Sequence, residues 1–241
     1  MKKSNINGKI SYNQYKLMDV LLFLVIMCVF ETINVFAIKK WFTDMLFSVS
    51  LMMTISLIVL VRWNLLGAIF PVVNGILYSA LLGAPAETYV IYAVGNAFIT
   101  LSWFIFKIIP KQKLFSKWYL TIIYPLVAFV ILIFARAAVA ACFGSDFLTC
   151  LGTTVFGESL NSAFALIALL ILRKIDGMLE DQKLYLKRVA KSQEIKTPKD
   201  EVWAGYTELD EEEIKKLHGT DKKEEKGDGI SMYDEYPPDS R

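Results

Sequence analysis

Residues 17–38 read LMDVLLFLVIMCVFETINVFAI, with Asp19 and Glu31 the only charges among them. About 20 apolar residues in an α-helix cross the roughly 30 Å hydrocarbon core of a bilayer. No water satisfies the backbone there, so a spanning segment must pair its own N–H and C=O groups, which makes it a helix. The run is too long for a signal-peptide core, and no small-x-small cleavage site follows it, so it is expected to be retained. Five more apolar runs follow, at 43–61, 65–82, 88–109, 119–142 and 151–172. The run at 65–82 is short and rich in Gly and Pro. The expected fold is an all-α integral membrane bundle of six transmembrane helices. Residues 1–16 would form a cytoplasmic N-terminal segment and 17–175 the membrane domain. Residues 176–241 would form a charged, largely disordered cytoplasmic tail.

The charge distribution supports that division. The chain has 241 residues, 55% of them hydrophobic, and a formal net charge of +2. Up to residue 175 there are fourteen basic and six acidic residues, and beyond it twelve and eighteen. The basic residues flank apolar runs, a membrane pattern that argues against nucleic acid as a partner. With six spans, fifteen Lys and Arg between Lys2 and Lys191 fall on one side, and only Lys39 and Lys40 on the other. Positive residues stay inside, which predicts cytoplasmic termini in a multi-pass protein of the cell (plasma) membrane. Trp41, Trp63, Trp103, Trp118 and Tyr119 lie near span ends, as an aromatic belt would. In the tail, Thr207 with Asp210 resembles a helix start, and Gly219 would stop that helix. DKKEEKGDG and YDEYPPDSR near the C-terminus cannot bury a core.

Three ionisable residues stand well inside spans: Glu31, Arg136 and Glu158. Such residues are costly in lipid and usually face the bundle interior or a cavity. Counted from the outer span ends at 1.5 Å per residue, all three lie roughly 9–11 Å below the outer surface. Asn34, Tyr92, Asn96 and Asn161 fall in the same band, Asn74 is somewhat deeper, and Glu87 sits at the outer mouth of the fourth span. No comparable cluster is expected in the inner half. Three readings compete: a ligand pocket, a structural ion network, and snorkelling at misjudged span ends. We take the pocket, with Glu31, Asn34, Glu87, Tyr92, Asn96, Arg136, Glu158 and Asn161 as its candidate ligand-binding residues.

Other features are less specific. Gly67, Pro71, Gly75, Ser79 and Gly83 form an i, i+4 ladder of small residues, suited to close packing within the bundle or against a separate subunit. A second small patch gathers Ala135, Ala137, Ala138, Ala140 and Ala141. Cys142 and Cys150 flank the loop CFGSDFLTC, where a disulfide and two free thiols are both compatible with the spacing. With three cysteines, one histidine, His218, and no phosphate loop or nucleophile elbow, neither a cofactor, a metal site nor an enzyme is expected.

The stretch 62–101, RWNLLGAIFPVVNGILYSALLGAPAETYVIYAVGNAFITL, carries an Arg-Trp start, Gly in the third span, Gly before the fourth and the Gly95–Asn96 pair. With six short spans, small loops and an outer polar level, it resembles the substrate-binding (S) component of an energy-coupling factor (ECF) transporter over roughly residues 17–175. The resemblance implies a small vitamin-like or heterocyclic ligand taken from the extracytoplasmic side. It also implies two partners: a membrane coupling subunit and a cytoplasmic ATPase pair. The Ala-x-x-x-Ala docking pair that many S components carry on the first span is absent here. The alternative is a non-transport membrane scaffold of envelope or cell-shape assembly that docks partners through its tail.

Overall fold

The computed structural model describes residues 11–41 and 49–194, which are helical, with no strand among them. Helix α1, Tyr12–Lys40, begins at Ser11, whose side chain accepts from the Gln14 backbone while the Gln14 side chain accepts from the Ser11 N–H. That capping box satisfies two of the donors a helix start leaves open. At 1.5 Å per residue a helix of 29 residues is about 43 Å long. It therefore exceeds the hydrocarbon core and projects beyond one face. One side of it, including Leu22, Val25, Val29, Ile33 and Phe36, is exposed. Lipid can cover such an apolar surface.

Among the described residues five helical stretches are long and apolar enough to cross a bilayer, the pattern of a multi-pass membrane protein. Six were expected. The third expected span and most of the second fall within one stretch, Met52–Leu82, while 42–48 lie outside the described residues. That stretch is bent back on itself. Helix α2, Met52–Trp63, ends at Asn64, whose φ of 54° no helix can continue. A tight helical turn, Asn64–Ala68, leads into α3, Ile69–Leu82. A Cβ on Gly67 would lie 2.7 Å from the Leu60 backbone nitrogen. In a straight helix residues seven apart stand about 10 Å apart along the axis, so the chain reverses here, and only glycine lets the two arms meet so closely.

The ends of the two arms agree with a reversal. Ser50, just ahead of α2, bonds Glu31 on α1, while Arg62 at the other end of α2 bonds Asp19. Leu81, at the end of α3, accepts from Lys39 at the far end of α1. So α2 runs from the Lys39 end of the bundle to the Arg62 end, and α3 returns. All twelve residues of α2 are buried. A helix shielded on every side is core, and its Leu57 and Leu60 pack in a cluster with Ile99, Tyr124, Ala128 and Leu169.

Helix α4, Ala86–Ala97, continues through the tighter turn Phe98–Phe104 into α5, Ile105–Ile108. The short α6, Lys111–Ser116, then leads to α7, Trp118–Cys142, and α8, Phe147–Leu172. The small-residue ladder packs inside this bundle except at its last member, Gly83, which is exposed. A Cβ on Gly75 would lie 2.5 Å from the Ala93 nitrogen and the Tyr92 carbonyl carbon, so α3 and α4 touch backbone to backbone there. Pro71 and Ser79 are buried as well, as are Ala137 and Ala140 on α7. Beyond α8 the chain stays on the bundle through the buried Leu179 and Gln182, then forms α9, Gln182–Glu194. The helix expected around 207–219 and the two charge-rich tail segments lie outside the described residues.

Candidate functional site

Side chains from four helices and the residues preceding α2 form one chain of hydrogen bonds at the Lys39 end. The Arg136 Nη1 on α7 donates to Glu158 Oε1 on α8 at 2.5 Å, and its Nε donates to Asn96 Oδ1 on α4 at 2.8 Å. Its guanidinium lies 4.6 Å from the centre of the Tyr92 ring. The other Glu158 oxygen accepts from Asn161 Nδ2 at 2.7 Å, and Asn161 Oδ1 accepts the Ser50 N–H at 2.7 Å. Ser50 Oγ accepts from the Met52 N–H and donates to Glu31 Oε2. Asn34 Nδ2 donates to Glu31 Oε1 at 3.1 Å, and Asn34 Oδ1 accepts the Val49 N–H.

Local sequence explains the arrangement. Asn34 follows Glu31 by three residues and Asn161 follows Glu158 by three, so each amide sits beside its carboxylate on one helix face. Gly95 lets α7 come close, since a Cβ there would meet Arg136 Cγ at 2.8 Å. The two carboxylates are then served differently. Glu158 is ion-paired with Arg136. Glu31, 1% exposed, is held by the neutral side chains of Ser50, Asn34 and Asn74.

A cavity of about 260 Å³ opens among these groups. Glu31, Tyr92, Arg136, Glu158 and Asn161 line it, together with Ser50, Asn74, Tyr78, Thr153 and Thr154. The Tyr78 and Tyr92 rings lie 4.9 Å apart on its α3–α4 side. Asn34 and Asn96 stand one step behind the wall and orient Glu31 and Arg136. Glu87 is exposed in the first turn of α4 and does not line the cavity. Sequence reading overlooked Ser50 and Tyr78 because one lies inside an apolar run and the other resembles an interfacial aromatic. Asn74 was visible as a polar residue in a span, one level deeper.

A second polar cluster occupies the opposite, Arg62 end, where none was expected. Asp19 accepts from Arg62 Nε and Nη2, both at 3.0 Å, and from Trp63 Nε1 at 2.6 Å. Arg62 Nη1 reaches the Gly177 carbonyl at 3.1 Å. Lys111 Nζ bonds the Val61 carbonyl, Asn64 Oδ1 and Asp181 Oδ2. Tyr15 Oη donates to Gln182, so the start of α1 and the start of α9 lie on the same side of the bundle. Burial pulls the Lys111 ammonium below its ordinary value, and Asp181 beside it opposes that shift. Each of these residues sits at a span end and reads singly as interfacial. Only the hairpin at Asn64 gathers them.

Among the described residues no three His, Cys, Asp or Glu side chains are grouped to hold a metal ion. Cys142 and Cys150 are free thiols, Cys142 exposed. The chain matches no family model, no curated protein and no solved structure.

Proposed function

We propose that this protein is the substrate-binding subunit of an ECF-type importer, capturing a small polar or heterocyclic, vitamin-like ligand from the extracytoplasmic side of the plasma membrane. The observation that carries the reading is the polar cavity at the Lys39 end, walled by side chains of α1, α3, α4, α7 and α8. At about 260 Å³ it lies just below the roughly 300–1,000 Å³ of drug-sized pockets, so it suits a compact ligand. The excess of basic residues puts the Arg62 end in the cytoplasm, so the cavity faces outward. We read α2 and α3 as separate passes, which gives six spans with cytoplasmic termini. The chain would supply binding, and a membrane coupling subunit with a cytoplasmic ATPase pair would supply energy. Affinity purification of the tagged chain from its native membrane tests the assignment. Stoichiometric recovery of a membrane protein and two ATPases is expected. Recovery of the chain without ATPases, under conditions that keep membrane complexes intact, would overturn it.

A further inference from the structure

We infer that the cavity selects a cationic ligand, an amidinium- or aminoheterocycle-type group with several N–H donors, and that Glu31 and Asn74 receive it. The inference rests on the cavity being a ligand site and deepens that reading by assigning the ligand's charge.

Charge is the first argument. Arg136 and Glu158 neutralise one another. Glu31 has no cationic partner among the described residues, so the cavity offers an acid that no basic side chain answers. Ser50 Oγ already accepts from the Met52 N–H, leaving its own proton for Glu31 Oε2, and Asn34 supplies Oε1. Asn74 is a third neutral side chain within hydrogen-bond reach of the carboxyl, which leaves about one acceptor site open. A carboxylate among neutral groups at this depth is costly, and a bound cation favours it.

Asn74 is the second argument. Its side chain lines the cavity, the residue is 4% exposed, and its Oδ1 has no hydrogen-bond donor. A buried acceptor left unmet costs about 1–3 kcal/mol. The site therefore offers a carboxylate and an amide oxygen, both seeking donors, with the aromatic Tyr78 in the same wall. An anionic ligand would meet the uncompensated Glu31. A neutral one would form no ion pair with it.

The test uses the full chain in detergent micelles and three flat probes of nearly one shape: benzamidinium, benzamide and benzoate. Affinity is read by titration calorimetry and by the ligand-induced rise in melting temperature. Benzamidinium is expected to bind at least about tenfold more tightly than benzamide, and benzoate more weakly than both. Glu31→Gln should lower benzamidinium to the benzamide level, and Asn74→Leu, which removes the amide oxygen, should weaken it as well. Equal binding of benzamide or benzoate, or no binding of benzamidinium in the millimolar range, overturns the inference. If Glu31→Gln does not fold, Asn74→Leu decides: unchanged benzamidinium affinity overturns it. ATPase co-purification does not depend on ligand charge. Loss of the benzamidinium preference with the ATPases recovered removes the ligand class alone. The preference without the ATPases supports the site and removes the importer reading.

Discussion

Arg136 on α7 and Glu158 on α8 form an ion pair at 2.5 Å, with side chains 8% and 9% exposed. Each also holds an amide, Asn96 for the arginine and Asn161 for the acid. The pair thus joins three helices while forming part of the cavity wall. Arg136→Ala strands a buried carboxylate and should cost about 3–5 kcal/mol. The double variant Arg136→Met/Glu158→Met removes both charges and should melt above the single variant. Melting in detergent checks this. A double variant less stable than Arg136→Ala would mean the pair stabilises beyond mutual neutralisation.

Asp19 joins α1 to the hairpin through a bidentate bond to Arg62 and a third bond to Trp63. Asp19→Ala leaves Arg62 without its carboxylate partner and should lower stability by about 3–5 kcal/mol. Asp19→Asn keeps an acceptor for Trp63 and should cost less. Equal losses in the two would show that the charge accounts for the whole effect.

Gly75 and Gly152 are both helical glycines in opposite surroundings. A methyl at Gly75 would meet the α4 backbone at 2.5 Å, whereas nothing lies within 4 Å of a Cβ at Gly152. Gly75→Ala should cost about 1–3 kcal/mol by forcing α3 from α4, with Tyr92 displaced. Gly152→Ala should be neutral or stabilise by up to about 1 kcal/mol through helix propensity. Chemical denaturation of the two variants side by side gives the contrast, and similar values would refute the close approach at Gly75.

Ala86 and Ser192 are exposed at opposite ends of the bundle. In a chain with Cys28, Cys142 and Cys150 changed to Ser, a membrane-impermeant maleimide added to intact cells should label Ala86→Cys. It should miss Ser192→Cys until the membrane is opened. The reverse pattern would turn the cavity to the cytoplasm and sink the importer reading.

Apolar runs, basic flanks and a few intramembrane charges were enough to place this chain in a membrane as helices, because lipid leaves the backbone no other way to satisfy its polar groups. Helical rise alone put Glu31, Arg136 and Glu158 at one depth, and i, i+3 spacing put Asn34 and Asn161 beside their acids. Tertiary structure decided the rest. The gap between the runs 43–61 and 65–82 already marked the break at Asn64, but run length could not reveal that α2 is wholly buried, since hydropathy reads apolar residues alike whether lipid or protein surrounds them. The pairing of Arg136 with Glu158 rather than Glu31 depends on helix adjacency, which depth does not encode. Ser50, Asn74 and Tyr78 entered the cavity, and Asp19, Arg62, Lys111 and Asp181 gathered at the far end, only once the reversal at Asn64 set the helices side by side. Spacing along one helix is local geometry that a sequence carries. Contacts between helices follow from where glycines and turns let backbones meet.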